Sequence, residues 1–126
     1  MSQDNINPKI TDFKDLVAWQ KSHRLAVDIY KSTESFPKSE QFGLTNQIRR
    51  AIVSVASNIA EGFGRRTKAD RIHFYDMARA SLHEVQAQLL IARDVEYVDV
   101  NVYAKLEEKT IECHKILTGL INKTNS

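Results

Sequence analysis

The chain is poor in the residues that cross-link or punctuate a fold. It has one cysteine, Cys113, in 126 residues, which excludes an internal disulfide and any cysteine-built zinc cage. That economy fits a reducing compartment. Two prolines and four glycines are too few for a turn-rich all-β protein or a low-complexity chain. No apolar run approaches the ~20 residues that cross a bilayer. The opening MSQDNINPKITDF has neither an apolar signal core nor a basic lead. The expectation is a cytoplasmic protein with no membrane partner. Charge of one sign is also missing: the net charge is +2, which predicts no strong polyanion affinity by itself.

Signatures of chemistry are equally scarce. Di-metal helical bundles use Glu-x-x-His on two helices, and neither that spacing nor His-Glu-x-x-His occurs. His23, His73, His83 and His114 therefore read as structural or solvated. Cys113 lies on an apolar helix face and reads as a buried, inert thiol. Ser54 and Ser57 have no strained turn and no evident base around them. Glu61-Gly62-Phe63-Gly64-Arg65-Arg66 has the spacing of neither a P-loop nor a dinucleotide fingerprint. It leads into a helix N-terminus, where anions are favoured, and is either a phosphate cradle or a helix stop followed by a solvated basic loop. These readings predict no metal, no cofactor and no enzymatic activity.

Apolar residues make up 42% of the chain, enough for the core of one domain, and their spacing is helical throughout. Four amphipathic helices are expected at about 13–35, 40–61, 67–93 and 101–121, after an N-terminal arm over 1–11 and before a frayed tail over 122–126. In the first, Phe13, Leu16, Gln20, His23, Val27 and Tyr30 mark the main stripe, which Val17, Ala26 and Ile29 widen. Asp12, Ser39, Thr67 and either Asp99 or Asn101 are the N-caps. Gly62-Phe63-Gly64 is the stop of the second helix, with one glycine in the left-handed position. Short connections make neighbours antiparallel, giving an all-α, left-handed, up-down-up-down four-helix bundle.

The second helix carries two stripes. Leu44, Ile48, Ile52, Val55, Ile59 and Phe63 form an apolar face, and Gln47, Arg50, Ser54, Asn58 and Glu61 a polar line beside it. Ala51, Ser54, Ala56, Ser57 and Ala60 keep the helix slim. A surface helix normally carries long solvated charges on its polar side, so this line reads as an interface network, completed by Glu84, in preference to a half-wet edge of the bundle with Arg50 reaching to solvent. Arg49 or Arg50 is expected to pair with Glu61 or Glu84 across helices. Trp19 is assigned to the bundle end or to a subunit contact. The cations Arg49, Arg50, Arg65, Arg66, Lys68 and Arg71 are the nucleic-acid candidates. They form a diluted set in a monomer and a strong field if a ring repeats them. Arg50 belongs to both sets, because its direction is open.

These residues include markers of a known family. Phe13, Leu16, Val17, Trp19 and Gln20 are followed by Phe36-Pro37, Glu40 and Phe42-Gly43-Leu44. Gln47-Ile48-Arg49-Arg50-Ala51, Ser54 and Ser57-Asn58-Ile59-Ala60-Glu61-Gly62 come next, then Ala78, Ser81-Leu82 and Glu84. In these the chain resembles the bacterial four-helix-bundle proteins known as 23S ribosomal RNA intervening-sequence proteins, from Phe13 to about Leu120. Ala80 departs from the pattern, which often has glycine there. The resemblance implies a homopentamer without a defined activity. It also implies kinship with an accessory protein of diversity-generating retroelements, a basic pentamer that binds nucleic acid and a reverse transcriptase. The partners expected on this ground are further copies of the chain, and RNA, DNA or a nucleic-acid-processing protein.

Overall fold

The computed structural model describes residues 10–126; most of the expected arm over 1–11 lies outside them. A single turn of 3-10 helix (Phe13–Asp15) precedes α1 (Val17–Thr33), and another (Lys38–Glu40) precedes α2 (Leu44–Phe63). Then come α3 (Lys68–Asp94) and α4 (Val100–Asn125). Every sequential pair packs side by side, α1 also packs on α4, and the diagonal backbones stay farther apart. Cross-helix contacts fix the directions. Lys21 meets Glu112 and Asp28 meets Lys109, and Ser54 meets Ser81 while Gly62 lies against Tyr75, so in both helix pairs the index rises on one helix as it falls on the other. The bundle is therefore all-α and up-down-up-down.

The core is a column of aliphatic side chains. Leu25 and Ile29 of α1, Ile48, Ile52, Val55 and Ile59 of α2, Leu82 and Val85 of α3, and Leu117 of α4 are all but inaccessible to solvent. Burial of each such side chain contributes about 1.5–3 kcal/mol. Polar residues join the core where their hydroxyls bond helix carbonyls. Thr33 donates to the Ile29 carbonyl at 2.8 Å and Thr110 to the Leu106 carbonyl at 2.7 Å.

Three expectations are corrected. First, α1 buries Ala18, Ser22, Leu25, Ile29 and Thr33, whereas Gln20, His23, Val27 and Tyr30 are exposed. The backbone is extended at Leu16 (φ −74°, ψ 126°), so Phe13 belongs to a separate turn and its phase does not carry into the helix. Second, α2 begins at Leu44, and Ser39 caps nothing. The Leu44 N–H instead donates to Glu40 Oε1 at 3.0 Å, so the chain spends 38–43 on a tight turn. Gly64, at φ −80°, closes α2 without the left-handed turn. Third, α4 continues through 122–125 where fraying was expected, since the Thr124 hydroxyl bonds the Leu120 carbonyl at 2.8 Å.

Two features hold the elements in register. Where α2 meets α3, a Cβ on Gly62 would stand 2.7 Å from Tyr75 Cε1 and 3.0 Å from Phe74 Cβ. Glycine is required there by close approach, and Tyr75 is only 2% exposed. At the other end, Glu96 takes the left-handed conformation (φ 63°) and ends α3 in a Schellman motif, with Tyr97 N–H bonded to the Ala92 carbonyl at 2.9 Å and Glu96 N–H to that of Arg93 at 3.0 Å. This aims Tyr97 at the 36–43 turn, where its hydroxyl donates to Glu40 Oε2 at 2.8 Å and its ring lies 5.5 Å from that of Phe36. Glu40 thus caps α2 with one oxygen and ties the α3–α4 connection with the other.

Gly62→Ala should destabilise the bundle by about 1–3 kcal/mol through overpacking, read as a lower urea midpoint with helical circular dichroism retained. An unchanged midpoint would show that α3 can move aside. The Glu40 carboxyl is held below its ordinary 4.5 by the Leu44 N–H and then the Tyr97 hydroxyl. A lowered folded value means that its contribution is complete above 4.5 and is lost as pH falls through that lowered value. Glu40→Gln should therefore be less stable than wild type at neutral pH and converge on it in acid. Parallel pH curves for the two proteins would contradict this role.

Candidate assembly and nucleic-acid interface

The face of α1 left out of the core is not an ordinary polar surface. Trp19, His23, Ala26, Val27 and Tyr30 line it, and Phe13 closes one end. Phe13 meets Trp19 edge-on at 5.2 Å, and Trp19 stacks on His23 at 4.8 Å with planes 15° apart. Opposite this wall, α2 supplies Val53, Ala56, Ser57 and Ala60. The small side chains make a floor and the aromatics a rim, enclosing a groove of about 610 Å³. Val27, Tyr30 and Val53 are about two-fifths exposed. The structure thus places Trp19 in an outward groove beside the slim side of α2.

The polar line of α2 faces α3. Ser54 and Ser81 hydroxyls meet at 3.0 Å, and Asn58 Nδ2 donates to the Ser54 carbonyl at 2.9 Å and to Ser54 Oγ at 3.0 Å. These three residues form a network within the protomer, at a half-buried seam. Gln47, Arg50 and Glu61 continue the line into solvent. The anticipated cross-helix ion pairs are absent among the described residues. Glu61 instead pairs within its own chain segment with Arg65 at 2.9 Å, and Glu84 accepts from Gln88 one turn on at 3.4 Å. In each case a neighbour one turn away is nearer than a partner on another helix.

The six candidate cations divide into two kinds. Arg49 is spent on the fold: its Nε donates to Thr33 Oγ1 at 2.9 Å, its Nη2 to the Tyr30 carbonyl at 3.1 Å, and its guanidinium lies 4.7 Å from the centroid of the Tyr30 ring. It caps the C-terminal turn of α1 from α2, where a helix favours positive charge. Arg65 lies 4.4 Å above the Phe74 ring and pairs with Glu61, and Arg71 Nε donates to the Arg65 carbonyl at 2.8 Å. These two set the loop between α2 and α3, although both keep exposed surface. Arg66 in that loop and Lys68 at the first position of α3 have no side-chain hydrogen-bond or ion-pair partner among the described residues, and Arg50 is likewise exposed. Arg50 is not part of the loop cluster, because ~18 Å of helix separates it from Gly62.

No group of three or more His, Cys, Asp or Glu side chains converges among the described residues. Cys113 is buried, and that burial pushes its thiol up to about 11, away from nucleophilic use. No helix is long and apolar enough to cross a membrane among the described residues. One pairing escaped the sequence reading: His83 and His114, thirty-one positions apart, meet across α3 and α4.

These observations define a small antiparallel bundle whose distinguishing features are surfaces: an apolar groove, a polar seam and a basic loop. The chain belongs to the 23S rRNA-intervening sequence protein family, whose model matches residues 14–119. A solved structure from Bacteroides thetaiotaomicron, described as a protein with unknown function from the S23 ribosomal protein family, superposes with a TM-score of 0.75. It is 27% identical, and the match covers 83% of this chain and 98% of that one. Among curated proteins none matches the chain.

Arg49→Met should cost about 1.5–3 kcal/mol, the range for hydrogen bonds made by a charged group. Arg66→Met should leave stability unchanged. Equal melting of the two variants in urea would contradict the division between structural and free cations.

Proposed function

We propose that the protein is a non-catalytic homo-oligomer, a pentamer in keeping with its family resemblance, which presents basic residues in symmetric repeats to nucleic acid or to a nucleoprotein partner. The observation that carries this reading is the outward groove between α1 and α2. Soluble monomers seldom leave a continuous patch of aromatic and aliphatic side chains open to water, and aromatic residues beside a small-residue floor are typical anchors of subunit contacts. A closed ring needs a heterologous contact, in which a groove on one protomer receives a different surface of the next. Phe42, 88% exposed on the turn before α2, has the size and polarity for such a groove.

Assembly is also what makes the charge useful. Arg50, Arg66, Lys68 and Arg71 are few in one protomer, and the net charge of +2 is small. Repetition around a ring multiplies each contact without requiring new residues, and weak contacts made together gain avidity. The residues already bonded within the fold, Arg49 above all, have the weaker claim to a ligand. The cytoplasm is the compartment in which such partners occur.

Two linked measurements test this. Light scattering should give a multiple of the 14.4 kDa chain mass, and Ala56→Arg should reduce it to a monomer with the helices intact. Binding to mixed RNA and DNA should then weaken as salt rises, and Arg66→Ala with Lys68→Ala should flatten the salt slope by about one unit per lost phosphate contact. A wild-type monomer at micromolar concentration would overturn the assembly. An oligomer without affinity at about 50 mM salt would favour a protein scaffold instead.

A further inference from the structure

His83 of α3 and His114 of α4 bring their Nε2 atoms to 3.0 Å, with ring centroids 4.8 Å apart. Two protonated nitrogens cannot sit at that distance, so at least one ring is neutral there and presents a lone pair. The backbone that sets this spacing is rigid: Leu82, Val85, Cys113 and Leu117, beside the two histidines in sequence, are core residues. His83 itself is exposed and its companion half-buried. The pair opens onto a cleft of about 280 Å³ that Gln86, Ile111 and Lys115 also line.

We propose that His83 and His114 form a cis two-imidazole site for a late first-row divalent metal ion, Cu(II) or Ni(II). With metal–nitrogen bonds of ~2.0–2.1 Å, nitrogens 3.0 Å apart subtend ~93° at the ion, the angle between neighbouring positions of a square-planar or octahedral centre. That geometry is the preference of Cu(II) and Ni(II) with nitrogen ligands. The ion would stand beside the line joining the nitrogens, reached by rotating the rings about their broad terminal torsion without backbone movement. The ring that now donates through Nε2 moves its proton to Nδ1 by exchange with solvent. A neutral pair thus binds the ion with no net loss of protons.

The cleft leaves the remaining coordination positions to water. Two cations stand close: Arg79, whose guanidinium is engaged by Asp76 at 3.0 Å, and Lys115 on α4. Their charge weakens the site relative to an isolated pair. The histidines nonetheless come from separate helices, so the ion would cross-link α3 to α4 and stabilise the folded state by binding it more tightly than the unfolded chain, whose histidines are not held together.

The test is titration of the full chain with Cu(II) alone, followed by calorimetry and electron paramagnetic resonance. The expected result is one ion per chain with hyperfine structure from two equatorial nitrogens, and a higher melting temperature in the presence of the ion. His83→Ala and His114→Ala should each abolish both signals, while His23→Ala and His73→Ala retain them. No binding, or binding that survives in the His83 and His114 variants, would overturn the proposal. Because these substitutions touch neither the groove nor the basic loop, oligomeric mass and RNA affinity provide separate readouts.

Discussion

The close approach of α2 to α3 is the constraint on which the rest of the structure depends. Gly62 lets the end of α2 rest against the Tyr75 ring, and Ser54 and Ser81 are short enough to meet by their hydroxyls. Larger residues at either place would force the helices apart, and a bundle interior packed to crystal-like density does not absorb such a change locally. The close contact also rotates α2 so that Ile48, Ile52, Val55 and Ile59 point into the core. Its opposite shoulder, Val53, Ala56, Ser57 and Ala60, is then turned outward beside α1. The groove is thus a consequence of how α2 is set against α3.

The end caps serve the same geometry. Glu40 satisfies the first free N–H of α2 and accepts the Tyr97 hydroxyl from the far connection. Gly43 is part of this arrangement, since a Cβ there would stand 2.6 Å from Glu40 Oε1. The Phe42-Gly43-Leu44 turn consequently has a structural explanation for its glycine, whereas Phe42 is left in water with none. The turn fixes the backbone that carries this exposed aromatic. That lowers the entropy lost when it is buried by a partner.

Most of the fold was legible in the sequence because α2, α3 and α4 carry uninterrupted apolar periods. Thr67 and Asp99 are short polar residues directly before them, and their side chains cap the helices. The first helix was misread in phase for a physical reason: its core face includes Ser22 and Thr33, which look like surface residues. Its exposed face includes Val27 and Tyr30, which look like core. Both anomalies have causes in the tertiary structure, a threonine that bonds its own helix and receives Arg49 in one case, a groove in the other. The site was less legible. Sequence spacing could pick out Ser54 and Asn58 as companions one turn apart, and Arg65 to Arg71 as a basic loop. It could not show that Arg49 is occupied by Tyr30 and Thr33, nor that His83 lies against His114, because those meetings depend on the register between helices.

The division of the cations bears on how such a bundle could meet a polyanion. A guanidinium held by two hydrogen bonds and a ring face, as in Arg49, must break native contacts before it can reach a phosphate, and those contacts stabilise the fold it belongs to. Arg66 and Lys68 would lose only hydration and side-chain freedom. The same reasoning separates Arg65 from Arg66, although they are neighbours in sequence: the Phe74 ring and Glu61 engage the first and leave the second in solvent. What a symmetric assembly would repeat is therefore an exposed pair of cations where the loop set by Arg65 and Arg71 enters α3. That arrangement suits backbone contacts, which set affinity and position, more than the reading of bases. A ligand recognised in this way would be selected by its charge spacing and shape.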